Sequence, residues 1–349
     1  MRGKARGKNS TSGNIKILSL FTGAGGLDLG FQKAGYKVVW ANEFDGSIRP
    51  TFKKNFPGTT LDERNIVDVK TSEIPRKGVV GIIGGPPCQS WSEAGSRRGL
   101  SDDRGKVFLE YARVIKDLQP LFFLAENVSG ILHMQHGDAF KKIIHKFEQA
   151  GYVVNYALLN AADYNVPQNR NRVIIVGYNK KKIGKKFEFP KKTKRQTLKD
   201  AIWDIRRSAV PAKLGNSING PTFRVPNHEY MVDSFSYIYM SRNRVRDWNE
   251  QSFTIQANGR HTPIHPSAPK MKKIGKDKMT FVPGKKRLYR RLSVRECARI
   301  QTFPDSFIFK YKNITDGYKM IGNAVPVNFA KALAIQIKKD IKPYLKNGR

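Results

Sequence analysis

The side chains best suited to chemistry fall in four short segments. Gly84-Gly-Pro-Pro-Cys-Gln-Ser-Trp-Ser92 sets Cys88 behind two prolines, Glu126-Asn-Val128 supplies a carboxylate, and Gln168-Asn-Arg-Asn-Arg172 supplies two guanidiniums, Arg170 and Arg172. A thiol becomes a nucleophile when its surroundings favour the thiolate, and a carboxyl group nearby can give or take a proton. Cys88 by itself reads equally well as packing, because free cysteine is among the most buried residue types. The carboxylate and guanidinium segments also adjoin apolar runs, and that shared placement shifts the balance towards a site.

The fourth segment, Phe21-Thr-Gly-Ala-Gly-Gly-Leu-Asp-Leu-Gly30, is a glycine turn of the kind that lets backbone approach a ligand. A dinucleotide fingerprint is matched at Gly23 and Gly25, but Asp28 stands where its third glycine belongs. Glu43, about 20 residues on, can accept both hydroxyls of a ribose. Phe44 beside it can stack on adenine or serve as an ordinary core aromatic. A tight turn with a ribose acceptor but no full pyrophosphate fingerprint suits S-adenosyl-L-methionine better than NAD.

The elements that must position these residues alternate. Apolar runs at 15–21, 38–41, 79–83, 121–125, 153–159 and 173–176 read as strands. Leu27, Phe31 and Ala34 lie at helical spacing before Gly35, as do Phe108, Tyr111, Ala112, Ile115 and Leu118, and then Phe140, Ile143, Ile144 and Phe147. Strands alternating with helices predict a doubly wound, mostly parallel α/β sheet whose ligands bind at the carboxyl ends of its strands. On this reading Glu126-Asn-Val128 follows one strand and Gln168 to Arg172 precedes another.

The domain boundaries follow composition. Residues 1–13 form a basic tail, residues 14–185 the ligand-binding α/β domain, and the lysine-rich stretch 180–194 leads into a smaller, loop-rich region at 186–310. Phe329, Leu333, Ile337 and Ile341 return to helical spacing, and residues 311–349 complete the first domain.

Lys and Arg number 64 against 28 Asp and Glu, a formal net charge of +36. Such an excess suits a polyanionic partner, nucleic acid first, although solvated lysines are the plain alternative. Two cysteines exclude a disulfide scaffold, and the dispersed histidines offer no metal-site spacing. No apolar run approaches the length of a membrane span, so a soluble, cytoplasmic protein is expected, nuclear in a eukaryote. No membrane and no metal are expected among its partners.

Taken together, the segments resemble the DNA cytosine-5 methyltransferase family along nearly the whole chain. The resemblance rests on the four segments above and on Asn42-Glu-Phe-Asp45, Arg291-Leu-Ser-Val-Arg-Glu-Cys-Ala-Arg299 and Gly322-Asn-Ala-Val-Pro326. It implies S-adenosyl-L-methionine as cofactor, duplex DNA as substrate, a flipped target cytosine and a monomer. It also implies Cys88 as covalent nucleophile, Glu126 at ring N3, Arg172 at the cytosine O2 and Arg170 in support. Phe21, Gly23, Gly25, Gly26, Glu43, Phe44, Asn65, Ile66, Pro86 and Asn323 are then the expected cofactor residues. The family often has an acid where Asn65 stands, which puts cofactor affinity in question. Residues 89–105, with Ser90 and Arg97, look like the family's loop that closes on DNA. Cys297 is expected as a packed thiol.

Pro226-Asn-His-Glu-Tyr230, the run from Tyr237 to Trp248, and Phe253-Thr-Ile-Gln-Ala-Asn-Gly-Arg260 resemble the recognition region of the HaeIII-type group, which modifies the inner cytosine of GGCC. Arg242, Arg244 and Arg260 are candidate readers of guanine, with phosphate contact as the alternative for each. Ile238 is a candidate wedge at the vacated stack. A restriction endonuclease with the same target is the companion this group implies. A tRNA methyltransferase is disfavoured by the missing Cys-Phe-Thr signature, an inactive binding module by the presence of Cys88 and Glu126, and an NAD oxidoreductase by Asp28.

Overall fold

The computed structural model describes residues 15–87, 103–133, 137–213, 215 and 224–345. Cys88, Ser90, Arg97 and the expected basic tail lie outside the described residues. One seven-stranded sheet organises the chain, in the spatial order β3-β2-β1-β4-β5-β7-β6. Its strands are β1 (Ile15–Leu20), β2 (Tyr36–Asn42), β3 (Thr60–Asp62), β4 (Val79–Gly84), β5 (Phe122–Val128), β6 (Tyr152–Asn160) and β7 (Asn171–Asn179). The first five pair in parallel, whereas β7 runs antiparallel to both β5 and β6. The sheet is therefore mostly parallel, as expected. The short edge strand β3 is not legible in the sequence, since three residues, Thr-Leu-Asp, carry no readable period.

Both faces of the sheet are covered, which is why its strands read as unbroken apolar runs. Phe122 and Leu124 of β5 enter one core, and Phe123 and Ala125 enter the other. Helices α1 (Gly26–Lys33), α2 (Arg49–Asn55) and α8 (Val327–Ile341) contribute Phe31, Phe52 and Leu333 to the first core. Helices α3 (Asp103–Leu118) and α4 (Gly137–Gln149) contribute Tyr111 and Phe147 to the second. Between them in sequence lie α5 (Leu198–Ile202), α6 (Val294–Ile300) and α7 (Ile314–Asn323). Helices α1 and α8 approach closely at Gly30, where an added Cβ would fall 2.3 Å from the Ala330 Cβ.

Besides α5, α6 and short 3-10 turns, the second region holds the paired strands β8 (Val210–Pro211) and β9 (Glu229–Tyr230), and a hairpin of β10 (Lys272–Gly275) and β11 (Lys278–Thr280). Apolar packing crosses the expected boundaries at 186 and 310. Phe187, Leu198, Leu292, Cys297 and Phe303 belong to the first sheet core, because α6 packs beside α5 and α7 instead of standing apart. A separate small core gathers Tyr239, Val245, Ile264, Met271 and Tyr289. Among the described residues, no helix is long and apolar enough to cross a membrane, and no group of His, Cys, Asp and Glu could hold a metal ion.

Candidate active site

A cleft of about 590 Å³ opens where β1, β2, β4 and β5 end, lined also by α7. The glycine turn after β1 forms its floor. Gly23 and Gly25 hold φ of 57° and 90°, values that favour glycine. Phe21, Gly23, Gly26, Glu43, Phe44, Asn65, Ile66, Pro86 and Asn323 all line the cleft. Gly25 does not: a Cβ there would meet the Phe56 ring at 2.2 Å, so that glycine serves the turn and its packing, not the cleft surface.

The Glu43 carboxylate accepts the backbone N–H of Gly23 on one oxygen and that of Asp45 on the other, each at 2.8 Å. Burial raises its pKa above the ordinary value, against the pull of these two donors. Each carboxylate oxygen keeps a second lone pair, so the group can still accept a vicinal pair of hydroxyls. Phe44 beside it leaves 64% of its surface exposed, an aromatic face at the cleft. Deeper in, Asp28 accepts the Thr22 hydroxyl at 2.7 Å, and burial pushes its pKa up to about 6. The Ser19 hydroxyl beside it also favours the charged form. Across the mouth, Lys319 of α7 meets Asp45 at 2.5 Å. A ribose acceptor and an aromatic face in one cleft fit S-adenosyl-L-methionine. Ser19, Asp28, Asp45 and Lys319 were missed as cleft residues. Asp45 and Lys319 are 274 positions apart, which no local pattern reveals.

At the other end of the cleft, Glu126 and Arg172 meet, Nε to Oε1 at 2.9 Å. Both lie within strands, not beyond them as expected. The antiparallel neighbour carries the ladder on, so β5 runs to Val128 opposite Arg172, and Glu126 stands opposite Ile174. Alternation then puts Glu126 and Arg172 on one face as a diagonal pair. Asn127 explains the middle of Glu-Asn-Val: its amide donates to the Pro86 carbonyl at 3.2 Å, tying β5 to the segment that leads into Cys88. A Cβ on Gly85 would lie 3.5 Å from Glu126 Oε2, so that segment passes directly over the carboxylate.

Arg170 is not in the cleft. It is buried and donates to the carbonyls of Ile255, Gly322 and Ala324 at 2.9, 2.7 and 3.2 Å. Burial, with Arg172 nearby, lowers its pKa well below the ordinary value. Beside it, Gln168 accepts the Ile255 N–H and donates to Gln301. Arg170 is thus a positioning residue that fastens the start of β7 to the loop after α7. Gln301, which the sequence did not single out, completes this network.

Residues 15–339 match the family model for C-5 cytosine-specific DNA methylases. The chain belongs to that family. It is 53% identical to the Type II methyltransferase M.FnuDI of Fusobacterium nucleatum over 330 residues, covering 94% of this chain and 95% of that one. With M.MthTI of Methanothermobacter thermautotrophicus the identity is 56% over 333 residues, 95% and 99% of the two chains. The solved DNMT2 of Spodoptera frugiperda shares the fold at a TM-score of 0.65, with 20% identity over 93% of this chain and 100% of that one. The protein is a DNA cytosine methylase that uses S-adenosyl-L-methionine.

The methylase carries its expected DNA readers on a 3-10 turn, Tyr239–Ser241, and the loops around it. Ile238 is 70% exposed and its neighbour Tyr237, which the sequence reading passed over, 73%. Arg242 and Arg260 are exposed as well, Arg260 with Asp233 4.0 Å away. Arg244 is different: it is buried, donating to the carbonyls of Tyr239 and Ile238 at 2.8 and 3.0 Å, with its guanidinium 4.7 Å from the Tyr239 ring centre. These bonds brace the turn that presents Ile238. Cys297 is fully buried, and burial raises its thiol pKa well above the ordinary value.

Proposed function

We propose that this methylase modifies carbon 5 of a cytosine flipped out of duplex DNA, within GGCC, through a covalent adduct with Cys88. The observation that carries the reading is the Glu126–Arg172 pair at one end of a cleft whose other end offers Glu43 and Phe44. Cytosine is a weak carbon nucleophile. Addition of the Cys88 thiolate to carbon 6 loads electron density onto carbon 5, and the Glu126 carboxyl at N3 stabilises the adduct. Arg172, positioned by Arg170, holds O2. Once carbon 5 carries the methyl group, loss of its proton and β-elimination free Cys88. Neither ring atom can be reached inside a stacked duplex, which is why the base must be flipped.

S-Adenosyl-L-methionine supplies an electrophilic methyl group when bound. Glu43 would hold its ribose, Phe44 its adenine face and Asn65 its exocyclic amine, along a wall made by Phe21, Gly23, Gly26, Ile66, Pro86 and Asn323. Ile238 fits the role of wedge, with Arg242 and Arg260 at guanine. Ser90 and Arg97 belong to the segment assigned to DNA closure. The recognition part is the body built on the small Tyr239 core, and a nuclease sharing the target is the expected companion of a Type II enzyme.

Incubating unmethylated plasmid with protein and S-adenosyl-L-methionine, followed by bisulfite sequencing, tests the target. Protection confined to the inner cytosine of GGCC is expected. Modification spread over other sites defeats the specificity reading.

A further inference from the structure

We propose that the β10–β11 hairpin and the turn after it clamp the phosphate backbone of duplex DNA beside the target site; this rests on the duplex DNA substrate proposed above. Between positions 272 and 287 the chain carries seven cationic side chains, among them Lys272, Lys273, Lys276 and Lys278, against one carboxylate, Asp277. These four lysines are exposed. Among the described residues none of them is ion-paired, whereas nearby Lys270 is held by Asp247 at 2.8 Å.

An isolated hairpin is marginal in water, so its anchoring matters. Met271 is buried in the small recognition core, with Met279 and Phe281 packed against it. Phe281 stacks on Tyr289 at 4.2 Å between ring centres and meets Phe235 at 5.2 Å, and Phe235 lies 5.1 Å from Tyr239. Tyr239 immediately follows the exposed Ile238. The lysines and the proposed reading segment are therefore mounted on one packed body. Crowded like charges repel in the free protein, and a polyanion relieves that repulsion while releasing its own counterions. Lysine is a mobile point charge without the planar fork that reads guanine, so the clamp adds affinity without sequence preference.

The test uses the full-length protein with Lys272→Gln, Lys273→Gln, Lys276→Gln and Lys278→Gln combined. Anisotropy gives Kd on duplexes of about 30 base pairs, with GGCC intact or scrambled, across roughly 50 to 300 mM KCl. The slope of log Kd against log salt should fall by about 0.9 for each phosphate no longer neutralised, some 2 to 4 in total. The fall should be equal on both duplexes, leaving the affinity ratio between them unchanged, and four Lys→Arg replacements should keep the wild-type slope. An unchanged slope overturns the proposal. So does a changed affinity ratio, which would make these lysines base readers, or a larger effect on single-stranded RNA than on duplex DNA. If wild-type protein leaves GGCC unmodified, the proposed target falls, while a slope difference on duplex DNA still supports the clamp.

Discussion

Glu126 and Arg172 form a charge-assisted pair, which orients the carboxyl group where the cleft ends. Glu126→Gln keeps the shape and a hydrogen bond but removes the transferable proton. Single-turnover methylation should slow by about 100-fold or more, with S-adenosyl-L-methionine affinity nearly unchanged by calorimetry; an equal loss in both would make Glu126 a cofactor ligand. Asp28 makes a second prediction at this scale. Burial raises its pKa from 3.8 to about 6, so the folded chain binds its proton more tightly than the unfolded chain does. Its contribution to stability is therefore complete below the unfolded value and is lost as pH rises through about 6. Asp28→Asn, which cannot ionise, should gain on the wild type by about 2 to 3 kcal/mol between pH 4 and pH 8 in urea unfolding. A pH-independent difference would show that Asp28 titrates normally.

At the scale of elements, the antiparallel strand β7 does what a parallel neighbour would not: it brings Arg172, at its start, beside the end of β5. The apolar runs made six of the seven sheet strands legible, but not where they stop, because the polar ends of β5 and β7 are kept in the ladder by each other. Burial was equally invisible. Arg170 reads as active because arginine is a functional type, yet it spends its terminal donors on buried carbonyls, a role set by tertiary neighbours. Gly30 shows the same limit in a helix. Its missing side chain is demanded by α8, and a Cβ there would also fall 2.8 Å from the Lys331 backbone nitrogen. Gly30→Ala should destabilise the protein by about 1 to 3 kcal/mol in spite of alanine's better helix propensity. A stabilised variant in thermal unfolding would mean that the two helices can move apart freely.

Across the whole molecule, the first core joins the sheet to α6, α7 and α8, so the C-terminal segment that supplies Asn323 and Lys319 is built into the domain it completes. The fold class, the cleft and its turn were readable because they depend on local pattern and on strand order. The link from Asp45 to Lys319 and the Arg170 network were not, since both join distant stretches of chain. The net charge of +36 likewise announced a polyanion without saying where it lies, and the exposed hairpin lysines give part of that answer.

In the proposed reaction, a cleft shared by Glu43 and Glu126 serves covalent attack by Cys88. A duplex carrying 5-fluorocytosine at the inner cytosine of GGCC tests it directly, because fluorine cannot leave as the proton does and the adduct should persist. With S-adenosyl-L-methionine present, the wild type should form a species that survives denaturing electrophoresis, whereas Cys88→Ala should form none while still binding DNA. An adduct of equal yield in Cys88→Ala, or none in a wild type that methylates normal DNA, would contradict the account.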